Sequence, residues 1–282
     1  MKKNKKTVVI ICVCLAAIAL IVGGIFMLVD FSGLKKQQLL TYSCSSGGDM
    51  NGGHYSETVK LYDDEHALIT VSESSWYFED PAVAEYFVDK SILDEIKDIC
   101  LKYGMQRWDG KQISNIFIAD GASTSYRFDF EDDDFWFSSQ YYPESYSSKL
   151  IQIKEVIKKY KATGEKLPGL IVPEMSEEQK HKLKYPDDGN LGVRVCEYSS
   201  NYLYYNLTNG TDDEVEFVGS VTLKKADGTV IYSKEDGVDV SASRHSVADE
   251  AFKLTERLDA GTYLLSVGEY ECQFEIGETA NQ

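Results

Sequence analysis

The sequence predicts three parts in series: a membrane-spanning helix at the amino end, an antiparallel α+β domain, and an all-β sandwich. Three observations carry this. An uncharged run from Thr7 to Val29 follows four lysines. Between Thr41 and Thr163, stretches that alternate with a period of two are interleaved with two stripes of helical period. From Val193 to Ile276, seven short strand-like runs succeed one another with turn residues between them.

The first part is justified by length. At about 1.5 Å per residue the run 7–29 makes a helix of roughly 34 Å, enough to cross a hydrocarbon core of about 30 Å. A cleavable signal has an apolar region of only about 7–15 residues, and here apolar residues continue well past Ala17 and Ala19, the small pair that imitates a cleavage site. Cys12 and Cys14 follow Ile11 and Val13, which is not the setting of a lipid-modified cysteine, so both read as apolar filler. Lys2, Lys3, Lys5 and Lys6 before the span, against Lys35 and Lys36 after it, place the amino end in the cytoplasm. Residues 1–6 are then a cytoplasmic tail too short for a folded output, and everything after Asp30 is expected outside. The chain carries 46 acidic against 29 basic side chains, a formal charge of −17, which makes nucleic acid a poor partner. Hydrophobic residues at 43% and aromatics at 12% suffice for packed cores and exclude a disordered chain.

Residues 30–40 are expected to be a stalk and residues 41–163 the α+β domain. Its strands are Thr41–Cys44, His54–Leu61 and Ala67–Ser74, the last two joined by the turn residues Tyr62-Asp63-Asp64-Glu65. A helix follows with Ser91 as N-cap, since Ile92, Leu93, Ile96, Ile99, Cys100 and Tyr103 fall on one face. Strands Ser123–Phe130 and Phe135–Gln140 are joined by Glu131-Asp132-Asp133-Asp134. A second amphipathic helix, about Tyr146–Tyr160, presents Leu150, Ile153, Val156, Ile157 and Tyr160 to the same core.

Residues 164–190, with Pro168, Pro173 and Pro186, have the composition of a linker, within which Ser176-Glu177-Glu178-Gln179 caps a short helix reaching Lys184. Residues 191–277 form the sandwich and 278–282 a tail. Its expected strands are Val193–Tyr198, Tyr202–Leu207, Val215–Leu223, Thr229–Ser233, Phe252–Leu258, Thr262–Val267 and Tyr270–Ile276. The stretches Leu207 to Glu214, Leu223 to Gly228 and Leu258-Asp259-Ala260-Gly261-Thr262-Tyr263 resemble the bacterial immunoglobulin-like domains of Gram-positive surface proteins. The resemblance covers about residues 190–277 and implies a sandwich used as a spacer or adhesive unit, usually without catalytic residues. It departs from antibody domains in having no tryptophan beyond Trp136. For the N-terminal ectodomain unit no family resemblance is recognised.

Candidate sites are few. Cys44, Cys100, Cys196 and Cys272 lie outside the membrane, one pair per unit, and both disulfides and buried free thiols remain open. The CxxC spacing of redox and zinc-ribbon sites is missing. His54, His66, His181 and His245 are far apart with no zinc-site spacing, so no metal cofactor is expected. Asp132, Asp133 and Asp134 are weak calcium candidates, because they stand where a hairpin needs solvated turn residues and lack the EF-hand pattern. Gly121-Ala122-Ser123-Thr124-Ser125 imitates a nucleophile elbow only superficially, and the SxxK pattern Ser32–Lys35 falls in the stalk. Alternation in Phe135-Trp136-Phe137 turns Trp136 away from the core if its neighbours point in. Trp136, Tyr141, Tyr142 and Trp108 are therefore ligand-binding candidates for stacking on sugars or peptides, against the competing placement of Trp136 in the core beneath helices. Asn206-Leu207-Thr208 and Asn209-Gly210-Thr211 have the form of glycosylation acceptors but read as strand-end and turn residues.

These readings predict a single-pass, non-catalytic binding or spacer protein in the cell membrane of a Gram-positive bacterium, with its carboxyl-terminal domains extracytoplasmic. Its expected partners are the membrane, through residues 7–29, and a cell-wall polymer or another envelope protein; no cofactor is expected. The alternative is an envelope hydrolase using two carboxylates of the first unit roughly 5–10 Å apart.

Overall fold

The computed structural model describes residues 33–47, 53–74, 80–113, 122–140, 143–173 and 175–278. The predicted span 7–29 lies outside them. Among the described residues no helix is long and apolar enough to cross a membrane. The architecture is mostly antiparallel β-sheet, arranged as one large sheet with helices and a two-sheet sandwich.

The first unit opens with β1 (Leu39–Gly47), β2 (His54–Leu61), β3 (His66–Ser74) and β4 (Ala82–Asp89). Helix α1 (Ser91–Tyr103), a 3-10 turn over Met105–Trp108 and the short β5 (Gln112–Ile113) come next. The hairpin β6 (Ser123–Phe130) and β7 (Asp134–Ser139) then precedes α2 (Glu144–Thr163) and β8 (Glu165–Lys166). These strands form one sheet of order β5-β7-β6-β1-β2-β3-β4-β8, with β1 in the interior. Tyr42, Val59, Ile69, Val88, Tyr126, Phe128, Phe135 and Phe137 project to one face and pack against Ile92, Leu93, Ile96, Leu150, Ile153 and Ile157 of the helices. The β2–β3 and β6–β7 turns fall where expected, with Leu61 opposite Ala67 and Asp129 opposite Asp134.

Some boundaries differ. The core reaches back into the supposed stalk, because Leu34 and Leu39 are buried. Strand β4 was not read from the sequence. Its run Ala82–Asp89 puts Glu85 among apolar neighbours, which masks the alternation. Ser91 is the first helical residue rather than the cap: its amide donates to the Asp89 carboxylate, and its hydroxyl lies 2.8 Å from that of Tyr160.

The linker is ordered into a strap. Its β8 adds to the edge of β4, while β9 (Gly169–Leu170) pairs with the last strand of the sandwich. Helix α3 (Glu177–Lys184) carries the expected capping box, Ser176 accepting from the Gln179 amide and Gln179 from the Ser176 amide.

The sandwich consists of β10 (Leu191–Ser199), β11 (Tyr202–Asn209), β12 (Val215–Lys225), β13 (Val230–Ala242), β14 (Ser246–Lys253), β15 (Gly261–Val267) and β16 (Tyr270–Gly277). One sheet has the order β10-β11-β14, the other β13-β12-β15-β16-β9. Leu203, Tyr205 and Leu207 of the first meet Phe217, Val221, Leu223, Leu265 and Val267 of the second. The strand expected at Phe252–Leu258 ends instead at Lys253. Leu254 and Leu258 close the core from a loop, their amides donating to the Asn201 carbonyl and to the Tyr198 hydroxyl. Likewise the run expected at Thr229–Ser233 continues as β13 to Ala242.

Two partly buried ion pairs join the units. Glu85 points to the sheet face opposite the helices, where its carboxylate meets Arg257 Nη1 at 2.6 Å and accepts from Thr70 Oγ1 and the Ser200 amide. Arg194 of β10 forks onto Asp80 and also donates to Asn206 at 2.7 Å.

Candidate functional site

A cavity of about 560 Å³ opens where α2 rises from the large sheet. Its floor follows from register. Cys44 of β1 stands between Tyr126 of β6 and Glu57 of β2, and in the next row Ser46 stands between Thr124 and Tyr55. Alternation sends all six side chains to the helix face. The apolar rows of the core thus give way to hydroxyl and thiol groups at this end of the sheet. The roof is one stripe of α2: Ser147, Leu150, Ile151 and Lys154 recur at helical spacing and face the floor.

Burial controls the chemistry of the floor. It pushes the Cys44 thiol up, against the smaller opposing effects of the Tyr126 hydroxyl and Lys154, so this cysteine is not an activated thiolate. Burial also raises the Glu57 carboxyl, opposed by Lys161, by the Tyr55 hydroxyl hydrogen-bonded to it, and by Lys154. Desolvation and the neighbouring Glu57 in turn raise Tyr55, which keeps its proton. Thr124 Oγ1 donates to Ser46 Oγ at 3.1 Å, leaving the Ser46 proton directed elsewhere. Ser147 leans back on the Glu144 carbonyl at 3.3 Å.

At the rim, Lys154 is exposed and makes no ion pair or hydrogen bond among the described residues. Helix α2 carries five lysines against two glutamates, a basic island in an acidic chain. Its Lys159 is spent on Glu95 at 2.9 Å and its Lys149 lies over the rings of Tyr103 and Trp108.

The residues singled out from the sequence are dispersed. Trp136 is 38% exposed on the opposite face of the sheet, beside Arg127, so the core placement does not hold. Trp108 is buried against Phe137 and Tyr146, at ring separations of 5.1 and 4.5 Å, and is not brought together with Trp136. Tyr141 and Tyr142 lie outside the described residues. In the acidic turn, the Asp132 amide and the Asp133 carboxylate are engaged by the Gln37 side chain, and Asp134 pairs with Arg127. Among the described residues no three metal-capable side chains come together. The four cysteines among the described residues are free: Cys44 and Cys100 are buried, and burial pushes Cys100 and Cys196 up to about 12. Asn206 and Asn209 are buried and hydrogen-bonded.

Apart from Cys44, no motif in the sequence marks the cavity residues as a site. Their signal was parity: Glu57 falls in step with Val59, and Ser46 and Thr124 in step with Tyr42 and Tyr126, at positions that otherwise face the core.

No protein-family profile matches this chain, and no curated protein matches it in sequence.

Proposed function

We propose that the protein is a membrane-anchored, extracytoplasmic binding protein of a bacterial envelope that takes its ligand in the α2 cavity and acts without catalysis. The observation that carries this reading is the cavity itself. It is of ligand size, walled partly by apolar and partly by hydroxyl side chains, and the Cys44 thiol in its wall and the Glu57 carboxyl behind it are held toward their uncharged forms. The anchor is the run 7–29, with the folded units outside. An immunoglobulin-like reading of the sandwich is supported by the split β10-β11-β14 against β13-β12-β15-β16. It is supported too by the Tyr263 hydroxyl, which donates to the Asp259 carbonyl four residues upstream at 2.9 Å, the geometry of a tyrosine corner. Such a unit serves as the spacer, and the ion pairs at Glu85 and Asp80 fix the cavity relative to it.

The test is fractionation of producing cells followed by pull-down from intact envelopes with the full chain. Retention in carbonate-washed membranes and capture of a wall polymer or envelope protein are expected. A mature amino terminus near residue 20 or 30 would make the protein a secreted one. The hydrolase alternative rests on Glu57, whose raised carboxyl suits an acid catalyst, and on Glu73, diagonal to it across β2 and β3 at roughly 7–8 Å between backbones. Turnover of purified wall polymer, abolished in Glu57→Gln, would replace the binding reading with that one.

A further inference from the structure

The cavity's charge and hydrogen-bonding capacity identify the class of ligand. Lys154 is a cation at the rim that makes no ion pair or hydrogen bond among the described residues and acts only through space on Glu57 and Cys44, on the most basic helix of an acidic molecule. Ser46 accepts from Thr124 and so keeps a proton to donate. Tyr55 spends its own on Glu57, the nearest buried carboxyl, which is thereby engaged beneath the floor rather than offered to a ligand cation. Between the donors lie the Tyr126 ring, Leu150, and Ile151, an isoleucine left 54% exposed at the mouth. An isolated apolar residue at a surface is ordinary, but one that continues the wall of a ligand-sized cavity extends its apolar contact.

We propose that the cavity binds a carboxylate carried on an apolar body, with the carboxylate held by Lys154 and Ser46 and the apolar part by Tyr126, Leu150 and Ile151. This rests on the binding-protein reading and names its ligand class. Cations are disfavoured by Lys154, and neutral polar molecules gain no charge pairing from it. A free acid and the carboxyl end of a peptide present the same chemistry.

The experiment is titration calorimetry of the full chain in detergent micelles. The acid probes are phenylacetate and acetyl-leucyl-leucine, and the controls are phenethylamine and the dipeptide amide. Saturable binding of either acid at least tenfold tighter than its control is expected, and the tighter acid identifies the source. Lys154→Gln weakens that binding at least tenfold, as does Ile151→Asp; both positions are exposed, so both variants fold, and circular dichroism checks it. Equal binding of amine or amide, unchanged affinity in Lys154→Gln, or no saturable acid binding by the folded chain overturns the proposal. Membrane retention and envelope capture are read independently of Lys154, so their failure is separate from this one.

Discussion

Asn209 shows how much a single turn residue can organise. Its fully buried amide donates to the carbonyls of Asp213, Ala242 and Ser243 and accepts from Thr211, tying the β11–β12 turn to the end of β13. Replacing it with alanine removes the bond to the buried Ala242 carbonyl, at roughly 1–3 kcal/mol for such a group, together with those to Asp213 and Ser243, whose carbonyls keep the Thr211 and Ser246 hydroxyls as donors. We expect Asn209→Ala to cost about 2–4 kcal/mol in urea unfolding; a loss under about 0.5 kcal/mol would refute the role. Glu57 acts in the opposite sense. Its native carboxyl titrates above the ordinary value of 4.5, so the folded state binds its proton more tightly than the unfolded one. Its contribution is fully present below pH 4.5 and is lost as pH rises through the raised native value. Glu57→Gln is therefore expected to raise the melting temperature by a few degrees at pH 7.5 and to change it little at pH 4. A variant less stable than the parent at pH 7.5 would show that Lys161 and Lys154 outweigh burial.

At the scale of elements, close approach matters as much as pattern. Gly164 ends α2 where the chain passes under β4, and a Cβ there would meet Val88 Cγ1 at 2.6 Å and the Phe87 carbonyl at 2.8 Å. Its backbone is ordinary extended chain, so the requirement is space rather than conformation. Gly164→Ala should cost about 1–3 kcal/mol through displacement of α2 from β4, and amide exchange in β8 should quicken before that in β1. Elements with a clean period were legible: the alternation of β2, β3 and β6, the stripe of α1, and the Ser176 capping box. Elements that owe their place to tertiary partners were not. Two-residue β8 and β9 have no period at all. Leu254 and Leu258 look like strand residues because they are buried, yet a loop delivers them. The cavity was invisible for a related reason, since its floor needs three strands in register and its roof a helix from a distant part of the chain.

For the molecule as a whole, the decisive contacts are those between units. Taking Arg257 and Glu85 out of water is costly, and removing one partner strands the other, at about 3–5 kcal/mol. We expect the intact chain to unfold in one calorimetric transition, because the strap and both ion pairs make neither unit independent. Glu85→Ala should lower stability by that amount and split the transition in two, whereas Glu85→Leu with Arg257→Met should be far milder than the sum of the single changes. Two separate transitions in the parent protein would dissolve the idea of a fixed spacer.

β1 follows directly on the segment that leads to the proposed anchor, and it is an inner strand with neighbours on both sides. Under the anchored reading proposed above, tension along the chain would reach a strand flanked by two ladders, where many bonds must break together rather than peel one at a time. An edge strand in that position would unzip under load.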